Sequence, residues 1–120
     1  MRVLAMLANP NPMWLSHSVT VEKFIGMNKF KDPEYAEPIQ LNNVRIDRTY
    51  GMKRFAKDSK ESPEAVVFVF PFIEDIITFN DEWLNARITD DKGKMYKVRK
   101  VIPNYQDVSD EIYNWELEVV

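Results

Sequence analysis

Ile112-Tyr113-Asn114-Trp115-Glu116-Leu117-Glu118-Val119-Val120 is the stretch from which the fold is read. Tyr113, Trp115, Leu117 and Val119 share one face of an extended chain, and Asn114, Glu116 and Glu118 share the other. Period-two patterning of this kind marks a strand with one face on a core and one in water. The four apolar side chains are therefore expected to point inward. Working upstream, Lys94–Ile102 reads as a second strand that stops at Pro103, with a turn around Asn104–Asp110. Asp90-Asp91-Lys92-Gly93 joins it to Leu84–Thr89 as a hairpin, because Gly93 is free to take positive φ. Leu84, Ala86 and Ile88 fall on one face of that partner strand.

Ala65–Phe70 reads Ala-Val-Val-Phe-Val-Phe and is apolar at both parities, so both of its faces should be covered. It is the expected central strand, ended by Pro71. Phe72, Ile73, Ile76 and Ile77 follow at near-helical spacing, as one helical turn or a buried connector running to Phe79. In Pro38–Arg48 the phase changes: Ile39 and Leu41 share one parity, Val44 and Ile46 the other. A β-bulge at Asn42-Asn43 would keep all four on the core face. The other reading is a turn between two short strands, and the bulge is preferred. His17–Phe24 is the first strand, with Val19 and Val21 inward, and residues 26–38 carry loop chemistry. Val3, Leu4 and Leu7 belong to a short arm that two Asn-Pro steps at residues 9–12 push toward extended backbone. About six short strands separated by turn signals predict a mostly β chain, a small antiparallel barrel or sandwich with little helix. One domain over residues 1–120 is expected, with an N-terminal arm at 1–15 and a long polar loop at 50–64.

Composition narrows function by exclusion. The chain has 120 residues, a net charge of −3, one histidine, three glycines and no cysteine. Disulfide frameworks, thiol nucleophiles and zinc–cysteine sites are ruled out, and no glycine-rich phosphate loop is present. The acidic balance argues against a dedicated nucleic-acid binder. No apolar run is long enough to span a bilayer, so no membrane partner is expected.

Few residues could carry chemistry. His17 would need an orienting partner and a nucleophile, but Ser16 and Ser18 flank it on a strand and point to the opposite face. It reads as structural, and no catalytic residue, cofactor or metal is expected. The acidic pairs Glu74-Asp75, Asp81-Glu82 and Asp90-Asp91 lack calcium-loop spacing and read as solvated turn residues. Lys92, Lys94, Lys97, Arg99 and Lys100 form the main basic strip. It could contact phosphates with Tyr96 beside it, as in a barrel that grips oligonucleotides. The plainer reading is a solvated hairpin balanced by Glu116 and Glu118 on a neighbouring strand.

An ordered set of motifs resembles the phage minor capsid protein family. His17-Ser18-Val19-Thr20, Asp32-Pro33-Glu34-Tyr35-Ala36-Glu37-Pro38-Ile39 and Asn43-Val44-Arg45-Ile46-Asp47 resemble its opening half. Ile88-Thr89, Gly93-Lys94-Met95-Tyr96-Lys97-Val98, Val101-Ile102-Pro103 and Asp110–Val119 resemble its closing half. The chain departs from the family in the Phe72–Trp83 connector. The resemblance implies a structural virion protein similar to head-completion or stopper proteins. Such a protein has a small β-barrel fold and forms a ring below the portal that helps to retain packaged DNA. It implies partners: copies of itself, a portal-side adaptor, a tail-side protein and double-stranded DNA in the channel. The place implied is the virion, after assembly in the bacterial cytoplasm. The Tyr50–Glu64 loop would then project into the channel, with Tyr50, Lys53, Arg54, Lys57 and Lys60 toward DNA. A tail-terminator or tail-completion role is the neighbouring alternative.

Overall fold

The computed structural model describes residues 15–48, 63–71, 77–106 and 110–120. Among the described residues, eight strands run in the order β1 (His17–Glu22), β2 (Phe24–Met27), β3 (Pro33–Tyr35), β4 (Ile39–Asp47), β5 (Ala65–Val69), β6 (Arg87–Thr89), β7 (Met95–Tyr105) and β8 (Ile112–Val119), with a 3₁₀ turn at Asp81–Trp83 before β6. Six of them close an antiparallel barrel in the order β1-β4-β5-β8-β7-β6, and β2 and β3 form a separate two-stranded sheet. Closure satisfies the backbone of strands too short to be stable as an open sheet. The expected mostly β fold is the one observed. No described helix is long and apolar enough to cross a membrane.

The inward residues of each barrel strand make the core. Val19, Val21, Leu41, Val44, Ile46, Val67, Val69, Ile88, Val98, Trp115, Leu117 and Val119 are all buried in one cluster. The phase change in β4 is a bulge: Val19 pairs with Leu41 and His17 with Val44, so β4 carries one extra residue at Asn42-Asn43. Both asparagines are exposed, while Leu41 and Val44 stay inside. The imidazole Nδ1 of His17 accepts the Ile46 backbone N–H at 3.0 Å, which occupies the ring in holding β4 beside β1. β5 is covered on both faces as expected. Ala65, Val67 and Val69 face the barrel interior, and Val66 and Phe70 are buried on the outer side.

Four local expectations are corrected. The first strand ends at Glu22, and Phe24, read as its last residue, instead opens the hairpin β2–β3, which continues into the 26–38 stretch read as loop. Gly26 sits at φ +134 next to a bulge in this hairpin, which breaks the alternation that would have signalled a strand. β7 does not stop at Pro103 but continues to Tyr105. Along β7, β6 pairs with Met95–Lys97 alone, so no described strand lies on the far edge of β7 at Pro103, and its missing N–H costs no described ladder bond. Tyr113 does not face the core. A register shift places Asn104 opposite Asn114 but Tyr105 opposite Ile112, which makes Tyr113 a bulge residue. Ile112 therefore packs on the core, and Tyr113 meets Phe70 edge-on at 5.3 Å on the outer side. Asp90, read as a solvated turn residue, is buried.

The connector is described from Ile77 onward, where Ile77 and Phe79 are buried in the core. The arm residues Val3, Leu4 and Leu7, the helical-spaced Phe72, Ile73 and Ile76, and Glu74-Asp75 lie outside the described residues.

Candidate functional site

One end of the barrel gathers the end of β4, the start of β5 and the β6–β7 turn. β4 ends there at Asp47, β5 starts there at Ala65, and the β6–β7 hairpin turns there through Asp90–Gly93. Asp47 lies opposite Val66 in the β4–β5 ladder. The described residues on either side of 49–62, Arg48 and Pro63, therefore lie at the same end of the barrel. Tyr50, Lys53, Arg54, Lys57 and Lys60 fall within that stretch and lie outside the described residues.

The roots of the stretch are held by the neighbouring hairpin. At the exit, the Arg48 guanidinium donates to Asp90 Oδ2 at 3.1 Å and to Asp91 Oδ1 at 2.9 Å. At the return, Pro63 is buried and the Glu64 N–H donates to the Val119 carbonyl at 2.8 Å. Glu64 also pairs with Lys94 at 3.2 Å. That second ion pair is exposed at both ends and adds little stability. The Arg48–Asp90 pair is different, because the Asp90 side chain is only 1% exposed.

Asp90 is the centre of this clamp. Its Oδ1 accepts the backbone N–H groups of Lys92 at 2.9 Å and Lys94 at 2.8 Å, an Asx turn that shapes the hairpin. Gly93 supplies the positive φ, +87, that the turn needs. Burial pushes the Asp90 carboxyl up, but the Lys94 and Lys92 amides and the Arg48 guanidinium together outweigh it and hold the group below its ordinary value. Arg48 answers in kind: burial pulls it down, and the two aspartates more than restore it.

A stability prediction follows from this geometry. Asp90→Ala leaves two amides and a half-buried guanidinium without their acceptor and is expected to cost about 2–3 kcal/mol at pH 7. The folded-state pKa of Asp90 lies below the unfolded one, so its contribution is full above the unfolded value of about 3.9 and fades as the pH falls through the lower folded value. Urea unfolding of both proteins should show a gap at pH 7 that narrows in strong acid. A gap that stays constant would mean that the carboxylate charge plays no part.

The basic strip is spread over more than one surface. Lys92 and Lys94 are exposed in the hairpin, with the Lys94 ammonium 5.0 Å from the Tyr96 ring. Tyr96 itself is buried in the core, so its ring is not an open platform for a base. Lys97 is exposed opposite Arg87. A bulge at Arg99 then sets Lys100 opposite Glu118, and Glu116 opposite Ile102. Glu116 accepts from Asn104 Nδ2 at 2.7 Å. Lys100 and Glu118 are thus the cross-strand mates expected of a balanced surface. Among the described residues, no cluster of three or more histidine and acidic side chains is placed to hold a metal.

The clamp residues Arg48 and Glu64 had no signal in the sequence. Asp90 had a partial one: an aspartate two residues before Lys92 and three before Gly93 is a turn former, and its side chain is then committed to the backbone.

A family model described as minor capsid protein matches residues 12–119. The chain belongs to the minor capsid protein family. This minor capsid protein is accordingly a structural protein of the phage virion, and the match runs through every strand of the barrel. Searches of the curated proteins and of the solved structures found no match.

Proposed function

We propose that this minor capsid protein is a subunit of the head–tail connector, a stopper or head-completion protein that assembles as a ring below the portal and holds packaged DNA in the head without catalysis. The observation that carries the reading is the clamp. A long, charged stretch is tethered at both roots to a rigid barrel end through Arg48, Asp90, Asp91, Glu64 and Lys94. A tether of that kind lets a segment reach into a channel while the barrel keeps its place in a ring. Lys53, Arg54, Lys57 and Lys60 supply four positive charges to a segment that would face DNA phosphates. Its neighbours would be copies of itself, a portal-side adaptor and a tail-side protein. The test is the DNA content of heads assembled with a chain lacking Lys53–Glu61. The reading expects heads that fill and then leak, and heads that stay full would contradict it.

A further inference from the structure

The hairpin β2–β3 carries an apolar surface that the barrel does not use. Ile25 is 62% exposed, Met27 63% and Phe30 73%. Single exposed apolar residues need no explanation, but three within six positions on one small hairpin form a patch. The tip is also built to hold its shape. Asn28 Oδ1 accepts the N–H groups of Phe30 at 2.8 Å and Asp32 at 3.0 Å. The Asn28 and Lys31 amides close the turn through Asp32 and Asn28 carbonyls, both at 2.9 Å. Lys31 is held at φ +66, a left-handed conformation that a lysine adopts only when its surroundings enforce it. The base is fixed as firmly. Arg87 binds Glu22 with two hydrogen bonds, at 2.8 and 3.1 Å, and lies 4.2 Å from the Tyr35 ring, which meets Phe24 edge-on. A rigid arm that presents a phenyl ring to water loses little further entropy when that ring is covered, which is the property of an interface anchor.

A matching recess exists elsewhere on the same chain. Phe79, Val101, Pro103, Tyr105 and Ile112 line an open groove of about 480 Å³ beside the stretch of β7 that no described strand pairs on its outer edge. Its rim carries Asp81 and Glu82, opposite in charge to Lys29 and Lys31, which flank Phe30. Glu82 shares its charge with Lys23 of its own chain at 3.1 Å, so Asp81 provides the rim's main attraction. The arm does not fill its own groove, since Phe30 remains the most exposed of the described large apolar residues.

The geometry points to a second copy of this chain as the occupant: Phe30 of one subunit seats in the Phe79–Ile112 groove of the next, with Lys29 and Lys31 against the acidic rim. Tip and groove are different surfaces, so the contact is head-to-tail, and such contacts generate rings when their rotation closes. The inference rests on the ring reading above and names the surface through which the ring would form.

The chain has no cysteine, which makes the test direct. Asp32→Cys, which keeps Phe30, Lys29 and Lys31 in place at the tip, and Tyr105→Cys at the groove are both exposed substitutions that leave the core untouched. The two full-length variants are mixed at high concentration and treated with a short thiol-reactive bifunctional reagent, and sedimentation of the unsubstituted chain is measured in parallel. The mixture should yield about tenfold more linked dimer than either variant alone, because the contact raises the effective concentration of one thiol at the other. Self-association without this preference, or linkage by Asp32→Cys alone as efficient as in the mixture, overturns the arm-in-groove contact and leaves the ring intact. A chain that stays monomeric at every concentration overturns both.

Discussion

Trp115→Ala is expected to lower the unfolding free energy by roughly 3–5 kcal/mol, the range for removing a large aromatic from a packed core. Trp115 is 4% exposed and sits where three parts of the barrel meet. It lies opposite Val69 on β5 and Pro103 on β7, and its ring meets Phe79 of the connector at 5.6 Å. For a domain of this size the loss corresponds to roughly 10–20 °C in Tm, and it consumes a large part of the 5–15 kcal/mol that a typical fold has in total. Trp115→Phe sharpens the measurement. The indole N–H has no hydrogen-bond partner among the described residues, so phenylalanine loses volume but breaks no described bond. It should cost well under half as much as alanine. Unchanged melting in Trp115→Ala would mean that this face is not the core.

Deleting Lys53–Glu61 should have the opposite signature, a large effect on particles and a small one on the subunit. The barrel ladders run through Asp47 on one side and Ala65 on the other, and both roots are fixed by contacts outside the deleted stretch. Shortening a loop between fixed ends changes its closure entropy only slowly with length. Tm should therefore move by no more than a few degrees. In particles, the deletion removes Lys53, Arg54, Lys57 and Lys60 together, and with them the charges proposed to meet DNA phosphates. Heads carrying the shortened chain should package and then lose their genome. If the deletion unfolds the subunit, the stretch belongs to the barrel's core. If the heads hold their DNA, it is not the element that retains it.

The barrel was largely legible because its signals are local. Alternation from Trp115 to Val119, the two-sided apolar run at Ala65–Phe70 and the Asp90–Gly93 turn each follow from the pleat of a strand or the φ of a glycine. Even the β4 bulge showed itself, since four apolar residues on two parities can share a face only if one residue is inserted. What remained hidden depends on neighbours distant in sequence. Pro103 ends a strand in most settings, yet here no described strand pairs with the far edge of β7 and the strand continues. Tyr113 has the right parity for the core, and only the register against Asn104 and Tyr105 turns it outward. The hairpin β2–β3 was concealed by Gly26 and Pro33, two residues that weaken any strand signal. The Arg48–Asp90 clamp joins positions far apart along the chain through one buried carboxylate, and no spacing rule reaches that far.

The central claim is a position in the particle, and electron cryomicroscopy of DNA-filled heads tests it most directly. The account predicts a ring of six-stranded barrels on the portal axis, between the portal and the tail, with the barrel end that bears Arg48 and Asp90 turned toward the channel. Barrels distributed over the capsid shell, or a portal axis without them in filled heads, would contradict it.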